Sequence, residues 1–345
     1  MVPYLIFVFL ILIFRYASKP KYMYVTMLLF NVLRYDTGWD YMNYYNEALY
    51  WGAEGSSTAR YSFIWQWLFG LANKLNMPHL VMVIVGVLTI SIVYFAVFNI
   101  LKSKKSVCDA LCIYSLWPFF YLGTFSTIRQ SLGISIGLLL VLCAMRRKYV
   151  FFFLLLVLNF FIHPSSVVCI AFAVFFFPDF RLKMWKMVVI IIAVFVVMLS
   201  IEALIQNSPL AAYQIYLGHS DSYGSKLSIL LAFILIPTLR LRYKKIGNQG
   251  MTDVCIMSII LLICTLVSFN NTVLSRITEY YVILLIFVGT NYKQLFSDKT
   301  FGNTIIYSLF AGVFLFYLYN TQGAAAVQQG LATSPFVPYQ FIFAQ

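Results

Sequence analysis

The 345-residue chain is 62% hydrophobic and only 10% charged, and its mean hydropathy is +0.87. A water-soluble protein of this length needs far more polar surface, so the composition excludes a soluble enzyme and predicts an integral membrane protein. The net charge of +13 is compatible with nucleic-acid binding, but the basic residues are distributed as membrane topology requires, so no nucleic-acid partner is predicted. The six cysteines lack the paired spacing of a zinc or redox site.

Continuous apolar runs predict an all-α polytopic membrane protein, a single multispan domain over residues 1–345, rather than a β-barrel. We predict about twelve spans: 1–14, 21–33, 79–101, 107–124, 127–145, 149–162, 165–178, 187–201, 226–239, 252–268, 276–290 and 303–319. Three longer segments lie outside them: the loop 34–78, the loop 202–225 and the tail 320–345. The stretch "YWGAEGSSTARYSFIWQWLFGLANKLN" in the first of these loops is expected to form one or two amphipathic helices at the membrane interface.

Basic residues fall mainly in alternate connections between the spans. These connections hold 18 of the 24 lysines and arginines, so the positive-inside rule makes them cytoplasmic. The loops 34–78 and 202–225, the tail and all three histidines then lie on the outer side. Any chemistry is therefore expected at the outer face.

The stretch "RYDTGWDYMNYY" opens the first outer loop and is dense in polar and aromatic side chains. Carboxylates and phenols hydrogen-bond to sugars, and aromatic faces stack on them, so this stretch predicts a sugar site. An interfacial belt of aromatic residues is the competing interpretation. The candidates here are Asp36, Asp40, Tyr41 and Tyr44, and the loop also supplies two outer cations, Arg34 and Arg60.

Three further outer cations are predicted at helix starts: Arg129, Lys226 and Arg276. A cation is disfavoured at a helix N-terminus by about 0.3–1 kcal/mol, so three such placements on one face indicate a site for an anion such as phosphate. Simple neutralisation is the alternative, by Glu279 for Arg276. Arg34 follows a predicted helix end, where it could serve as a cap.

His163 lies between two predicted spans, since Pro164 disfavours helical geometry at the residue before it. An imidazole there could act as a general base or as a donor to a phosphate oxygen, or it could be a structural group. His219, in the second outer loop, is another candidate ligand for the substrate.

Four motifs resemble those of EpsG-like proteins, which are Wzy-type polysaccharide polymerases. "TGWDYMNYY" is similar to the family's Gly-x-Asp-Tyr-x-x-Tyr pattern, through Gly38, Asp40, Tyr41 and Tyr44. "STIRQSLGISI" resembles its Arg-Gln-x-x-(small) span start, through Arg129 and Gln130. "FIHPSS" resembles its Ile-His-x-Ser turn, through His163 and Ser165, and the last motif is an Arg followed closely by Tyr, Arg276 and Tyr280. The matched region covers roughly residues 30 to 290.

The resemblance implies a glycosyltransferase in the bacterial inner membrane with its active site facing the periplasm and a fold similar to the GT-C enzymes. Such polymerases join oligosaccharide repeat units carried on undecaprenyl pyrophosphate into O-antigen or a related surface polysaccharide. The resemblance implies no metal and no other cofactor. Its implied partners are the lipid-linked donor and acceptor and the lipid bilayer, with a chain-length regulator as a further candidate.

Under this hypothesis the catalytic residues are Asp40, His163 and Arg129. An arginine fork suits a pyrophosphate leaving group, and Asp40 or His163 can accept the proton of the attacking hydroxyl. The predicted substrate-binding residues are Arg276, Arg34, Arg60, Asp36, Tyr41, Tyr44, Gln130, Tyr280 and His219.

Two other functions compete with a polymerase. A transporter or flippase of lipid-linked oligosaccharide should carry charged residues near the middle of its spans, whereas these span interiors are nearly free of charge. A membrane acyltransferase should carry its histidine on the cytoplasmic side, where none is predicted.

Overall fold

The computed structural model describes residues 1–52, 61–177, 223–264, 272–321 and 336–344. Within these ranges the chain is almost entirely helical, which confirms the predicted all-α class. The longer helices are α1 (Val2–Tyr16), α2 (Pro20–Val32), α3 (Tyr41–Leu49), α4 (Phe63–Lys74), α5 (Leu80–Ile100), α6 (Lys104–Leu116), α9 (Ile128–Met145), α10 (Tyr149–Ile162), α12 (Tyr223–Tyr243), α13 (Gln249–Cys264), α14 (Thr272–Val282) and α16 (Lys299–Thr321).

Shorter elements connect these helices. They are α7 (Pro118–Tyr121), α8 (Gly123–Ser126), α11 (Ala171–Phe176), α15 (Leu285–Val288) and 3₁₀ turns at Pro164–Ile170, Gly289–Leu295 and Ile342–Ala344. One antiparallel pair of strands, β1 (Arg34–Tyr35) and β2 (Gln340–Phe341), joins residues that are some 300 positions apart in the chain.

Three described helices are long and apolar enough to cross a membrane: Leu80–Ile100, Ile128–Met145 and Lys299–Tyr319. The bent pair Lys104–Leu116 and Pro118–Ser126 brings the number to four if it forms one span, and four shorter apolar helices accompany them. The chain is thus a membrane protein by composition and helix length, while the number twelve stays a prediction. The predicted span 187–201 lies outside the described residues.

The predicted span 107–124 is not one continuous helix. The chain bends by 75° between Leu116 and Pro118. Trp117 is extended (φ −82°, ψ 113°), because the ring of the following proline disfavours helical geometry there and Pro118 has no N–H to donate. As a result, α7 and α8 do not continue along the axis of α6.

Two compact units make up the fold. The first contains residues 1–143, 149–167 and 303–345, and the second contains residues 144–148 and 168–302. In the first, α2 packs against α1, α5 and α6, and the buried Asp109 forms an ion pair with Arg15 at 2.9 Å. In the second, α13 packs against α12 and α14, and Arg242 pairs with Asp253.

Several local predictions around the site are confirmed, and the predicted position of Arg276 at a helix start is wrong. Helix α4 lies in the stretch of the loop 34–78 where helices are expected, and His163 follows the end of α10 as predicted. Arg129 is the second residue of α9, as expected. Arg276 does not open its helix, because α14 begins at Thr272 and places Arg276 in the second turn, where the helix dipole acts weakly.

Candidate functional site

The loop from Asp36 to Asp40, between β1 and α3, is held in one conformation by close backbone contact. Gly38 has φ +106°, and a Cβ atom on it would lie 2.1 Å from the carbonyl oxygen of Phe125. The N–H of Trp39 donates to Ser126 Oγ at 3.1 Å. A glycine is required because only glycine tolerates both this φ and this approach. The loop therefore lies directly on the end of α8, and Asp40 occupies the N-cap position of α3.

Arg129 is bound to α3 through one nitrogen of its guanidinium. Its Nε donates to the hydroxyl of Tyr44 at 2.8 Å, and its guanidinium carbon lies 4.8 Å from the centre of the Tyr61 ring. Within the described part of the chain, no hydrogen bond or ion pair engages its two Nη groups. The half-buried side chain is thus fixed at Nε, and its fork can serve a ligand.

Tyr44 is a buried, neutral acceptor for Arg129. Burial raises the pKa of the Tyr44 hydroxyl well above its ordinary value, an effect opposed by the charge of Arg129 and reinforced by that of Asp40. Asp40 is therefore close enough to Tyr44 to act on it electrostatically. The arrangement gathers Asp40, Tyr44 and Arg129 at the beginning of α3 and of α9.

An aromatic and aliphatic cluster joins the segments that carry these residues. It contains Tyr41 and Tyr44 of α3, Trp65 of α4, Ile128 beside Arg129, and Ile162 beside His163. Trp65 is almost fully buried; its ring centre lies 5.7 Å from that of Tyr44, and its Nε1 donates to the carbonyl of Ile162 at 2.9 Å. One packed core consequently supports Asp40, Arg129 and His163.

His163 lies in a tight, hydrogen-bonded turn. Its N–H donates to Asn159 O at 2.9 Å, and Ser166 N donates back to its carbonyl at 2.9 Å. The imidazole Nδ1 lies 2.6 Å from Ser165 Oγ, which fixes the orientation of the ring.

Arg34 is completely buried. Its Nη1 donates to the backbone and side-chain oxygens of Asn31, and its Nη2 donates to Thr124 O at 3.2 Å. The guanidinium carbon stacks 4.5 Å above the ring of Phe125. Burial lowers the pKa of Arg34 from its ordinary value, and the surrounding tyrosine hydroxyls oppose that effect. Its donors are thus directed mainly at protein groups.

His79 holds Tyr41, a role that sequence reasoning missed. Its Nε2 donates to Val32 O at 3.1 Å, so its Nδ1 accepts the hydrogen bond from the Tyr41 hydroxyl. Asn31, Thr124 and Ser126 were also not predicted. No local sequence signal marks these residues, because each gains its role from a contact between segments distant in the chain.

The predicted site residues divide between the units. Asp36, Asp40, Tyr41, Tyr44, Arg34, Arg129, Gln130 and His163 belong to the first, and Arg276 and Tyr280 belong to the second. Among them Tyr41, Gln130 and Tyr280 are buried, whereas Asp36 is exposed. Arg60 and His219 lie outside the described residues. The participation of Arg276 and Tyr280 in the same site stays a prediction.

Among the residues that the structure describes, no three His, Cys, Asp or Glu side chains converge as a metal site requires. The expectation of a metal-independent reaction stays a prediction.

A family comparison decides the identity of the chain. The model of the EpsG family matches residues 22–341, which include all the motifs described above. The chain belongs to the EpsG family. Neither a curated protein nor a solved structure matches it significantly.

Membership of the EpsG family indicates the general function of the chain. It indicates a polysaccharide polymerase-like, glycosyltransferase-like role, and the apolar helices agree with a multi-pass membrane protein. The matched residues also include β1 and β2, so the paired strands both lie within the region that the family model matches.

Proposed function

We propose that this EpsG protein joins oligosaccharide repeat units carried on undecaprenyl pyrophosphate, at the periplasmic face of the bacterial inner membrane. The observation that carries the proposal is the fixed fork of Arg129 beside the carboxylate-bearing loop of Asp40. Arg129 is anchored at Nε by Tyr44, and the Nη groups have no partner within the described residues. A pyrophosphate leaving group needs such a preorganised cation.

The reaction breaks the bond between the anomeric carbon of the growing chain and its pyrophosphate oxygen. A hydroxyl oxygen of the next lipid-linked unit forms the new bond to that carbon, and the electron pair leaves with undecaprenyl pyrophosphate. Arg129 binds the phosphate oxygens through both Nη groups, so it stabilises the charge that develops on the leaving group.

The proton of the attacking hydroxyl goes to Asp40 or to His163. Asp40 lies at the start of α3, in the same loop as the exposed Asp36 and the half-exposed ring of Trp39, which are groups suited to binding sugars. Nearby positive charge weakens a carboxylate as a base, which is the argument for His163. We favour Asp40 as the base and assign His163 to a phosphate oxygen.

The remaining predicted residues are proposed as substrate ligands, as the sequence suggests. They are Arg276, Tyr280, Asp36, Tyr41, Gln130, Arg60 and His219. For Arg34, burial favours a supporting role, which is developed in the next section.

Two variants separate the candidate bases. We expect Asp40→Asn to abolish turnover of purified lipid-linked repeat units while leaving their binding intact, because the amide keeps the shape but cannot accept a proton. His163→Gln should retain measurable turnover. Asn43→Ala, which changes an exposed side chain of α3, is the control. Substantial turnover by Asp40→Asn with none by His163→Gln would reverse the assignment.

A gel of surface polysaccharide distinguishes a polymerase from a flippase. Cells that lack this protein should display a single repeat unit if it is a polymerase and none if it is a flippase. The second pattern would replace the proposed function with the transport alternative.

Thiol labelling tests the side of the membrane. A cysteine at the exposed Asn46 should react with a membrane-impermeant reagent when only the outer membrane is permeabilised. A cysteine at the exposed Ser103 should be protected. The opposite pattern would place the site on the cytoplasmic side and contradict the mechanism.

A further inference from the structure

The C-terminal segment 336–344, called the strap below, is hydrogen-bonded to the segment that leads into the site loop. Its strand β2 pairs with β1, and Ile342 N donates to Leu33 O at 2.9 Å. Tyr339 donates its hydroxyl to Phe30 O at 2.6 Å, and the strap accepts a hydrogen bond from Tyr4 at the carbonyl of Phe336. The strap is therefore anchored to both α1 and α2.

Tyr339 connects the strap to the residue that supports Gly38. Its ring centre lies 5.6 Å from the rings of Tyr4 and Phe30 and 6.5 Å from that of Phe125. Phe125 supplies the carbonyl that faces Gly38, and the next residue, Ser126, accepts the N–H of Trp39. A chain of direct contacts thus runs from the strap through Phe125 to the Asp36–Asp40 loop.

Arg34 forms the second connection from the strap to the loop. It lies in β1 opposite Phe341 of the strap, and its guanidinium stacks on Phe125 and reaches Thr124 O. A buried guanidinium is unfavourable unless its donors are satisfied. Both Nη groups of Arg34 donate to oxygens of α2 and α8, while its buried Nε has no hydrogen-bond partner among the described residues. Arg34 thus ties together α2, which leads into the loop, and α8, which contacts it.

We propose that the strap positions the Asp36–Asp40 loop, with Tyr339 and Arg34 acting as positioning residues for the reaction. The expected effects on turnover rest on the proposed function, whereas the expected effects on the position of the loop do not. The strap holds β1 and Phe125, these hold Gly38 and Trp39, and the loop then presents Asp40 beside Tyr44 and Arg129. Neither Tyr339 nor Arg34 is required to touch the substrate.

Labelling of a buried loop residue tests the positioning directly. Thr37 is completely buried within the loop, and a cysteine there replaces the hydroxyl with a thiol and removes only one methyl group. In the otherwise native protein, the Thr37→Cys thiol should react slowly with a soluble maleimide. Adding Tyr339→Ala removes the ring contacts of the strap, so we expect labelling to accelerate about tenfold through local opening.

Native cysteines provide the control within the same molecule. Cys108 and Cys112 of α6 are fully buried and should stay unlabelled, which separates local loosening of the loop from global unfolding. Unchanged protection of Thr37→Cys in the Tyr339→Ala protein would overturn the proposal. Equal labelling of Cys108 and Cys112 would also overturn it, because the strap would then support the whole unit and not the loop.

Turnover supplies the second readout. Tyr339→Ala should lower kcat about tenfold while the binding of the lipid-linked unit changes little, because the loss is one of alignment. Tyr339→Phe keeps the ring and should recover most of the rate. A parent protein that labels as expected but shows no turnover would refute the proposed function and leave the strap proposal standing. A Tyr339→Ala protein with normal kcat would refute its positioning role.

Discussion

Tyr44→Phe removes a single hydroxyl and with it the acceptor for Arg129 Nε. A hydrogen bond to a charged group contributes about 1.5–3 kcal/mol, and here it spans 2.8 Å between a buried phenol and a half-buried guanidinium. If that energy holds the fork in its productive orientation, its loss lowers kcat by about 10- to 150-fold. The ring stays, so its contact with Trp65 and the surrounding core should persist.

The assay is steady-state turnover of purified lipid-linked repeat units, with kcat and KM measured separately. Tyr24→Phe is the matched control, because it deletes a similar hydroxyl that lies 2.9 Å from Ser91 Oγ between α2 and α5. We expect a fall in kcat for Tyr44→Phe and parental kinetics for Tyr24→Phe. Parental kcat in both variants, at equal protein levels, would refute the view that Tyr44 orients Arg129.

Two further substitutions test the site from either side. Arg129→Lys keeps the charge but loses the two-pronged geometry, so polymer formation should fall severely at normal protein level, and Arg129→Ala should lower it further. Polymers of parental length from both variants would show that Arg129 has no role in the reaction. Gly38→Ala places a Cβ 2.1 Å from Phe125 O, which should displace the loop and lower kcat at least about tenfold. Gly52→Ala is the control for backbone strain alone, because Gly52 has φ +80° but open space around it. Equal effects of the two glycine variants would contradict the role of the Phe125 contact.

The fold was predictable where a signal is local. Apolar runs predict helices reliably, so α5, α9 and α10 fall within one or two residues of the predicted spans. Pro164 marks the end of α10 for the same reason, since it acts on its immediate neighbour. The bend at Pro118 carried an equal signal, but the apolar run continued through it and concealed the break.

The site was predictable only in part, because its support is non-local. Asp40 is a candidate because it lies in a polar and aromatic stretch, whereas Arg129 and His163 are candidates because they lie at the ends of predicted spans; their roles stay predictions. Nothing in the sequence around His79 indicated that it binds the hydroxyl of Tyr41 and the carbonyl of Val32. The pairing of β1 with β2 was equally hidden, since two-residue strands have no periodicity that a sequence pattern could reveal.

Arg34 and Arg129 show how one residue type can serve two physical purposes in a single unit. Arg34 is fully buried and directs its Nη groups at protein oxygens, so it has little capacity left for a ligand and instead joins α2 to α8. Arg129 donates its Nε to Tyr44, which restrains the side chain, and under the proposed function its two Nη groups bind phosphate. Electrostatic catalysis requires that a cation be held in place before the charge develops. Both residues are close to the contacts of the Asp36–Asp40 loop, because Arg34 binds Thr124 O, next to the Phe125 and Ser126 groups that contact the loop, and Arg129 follows three residues after Ser126.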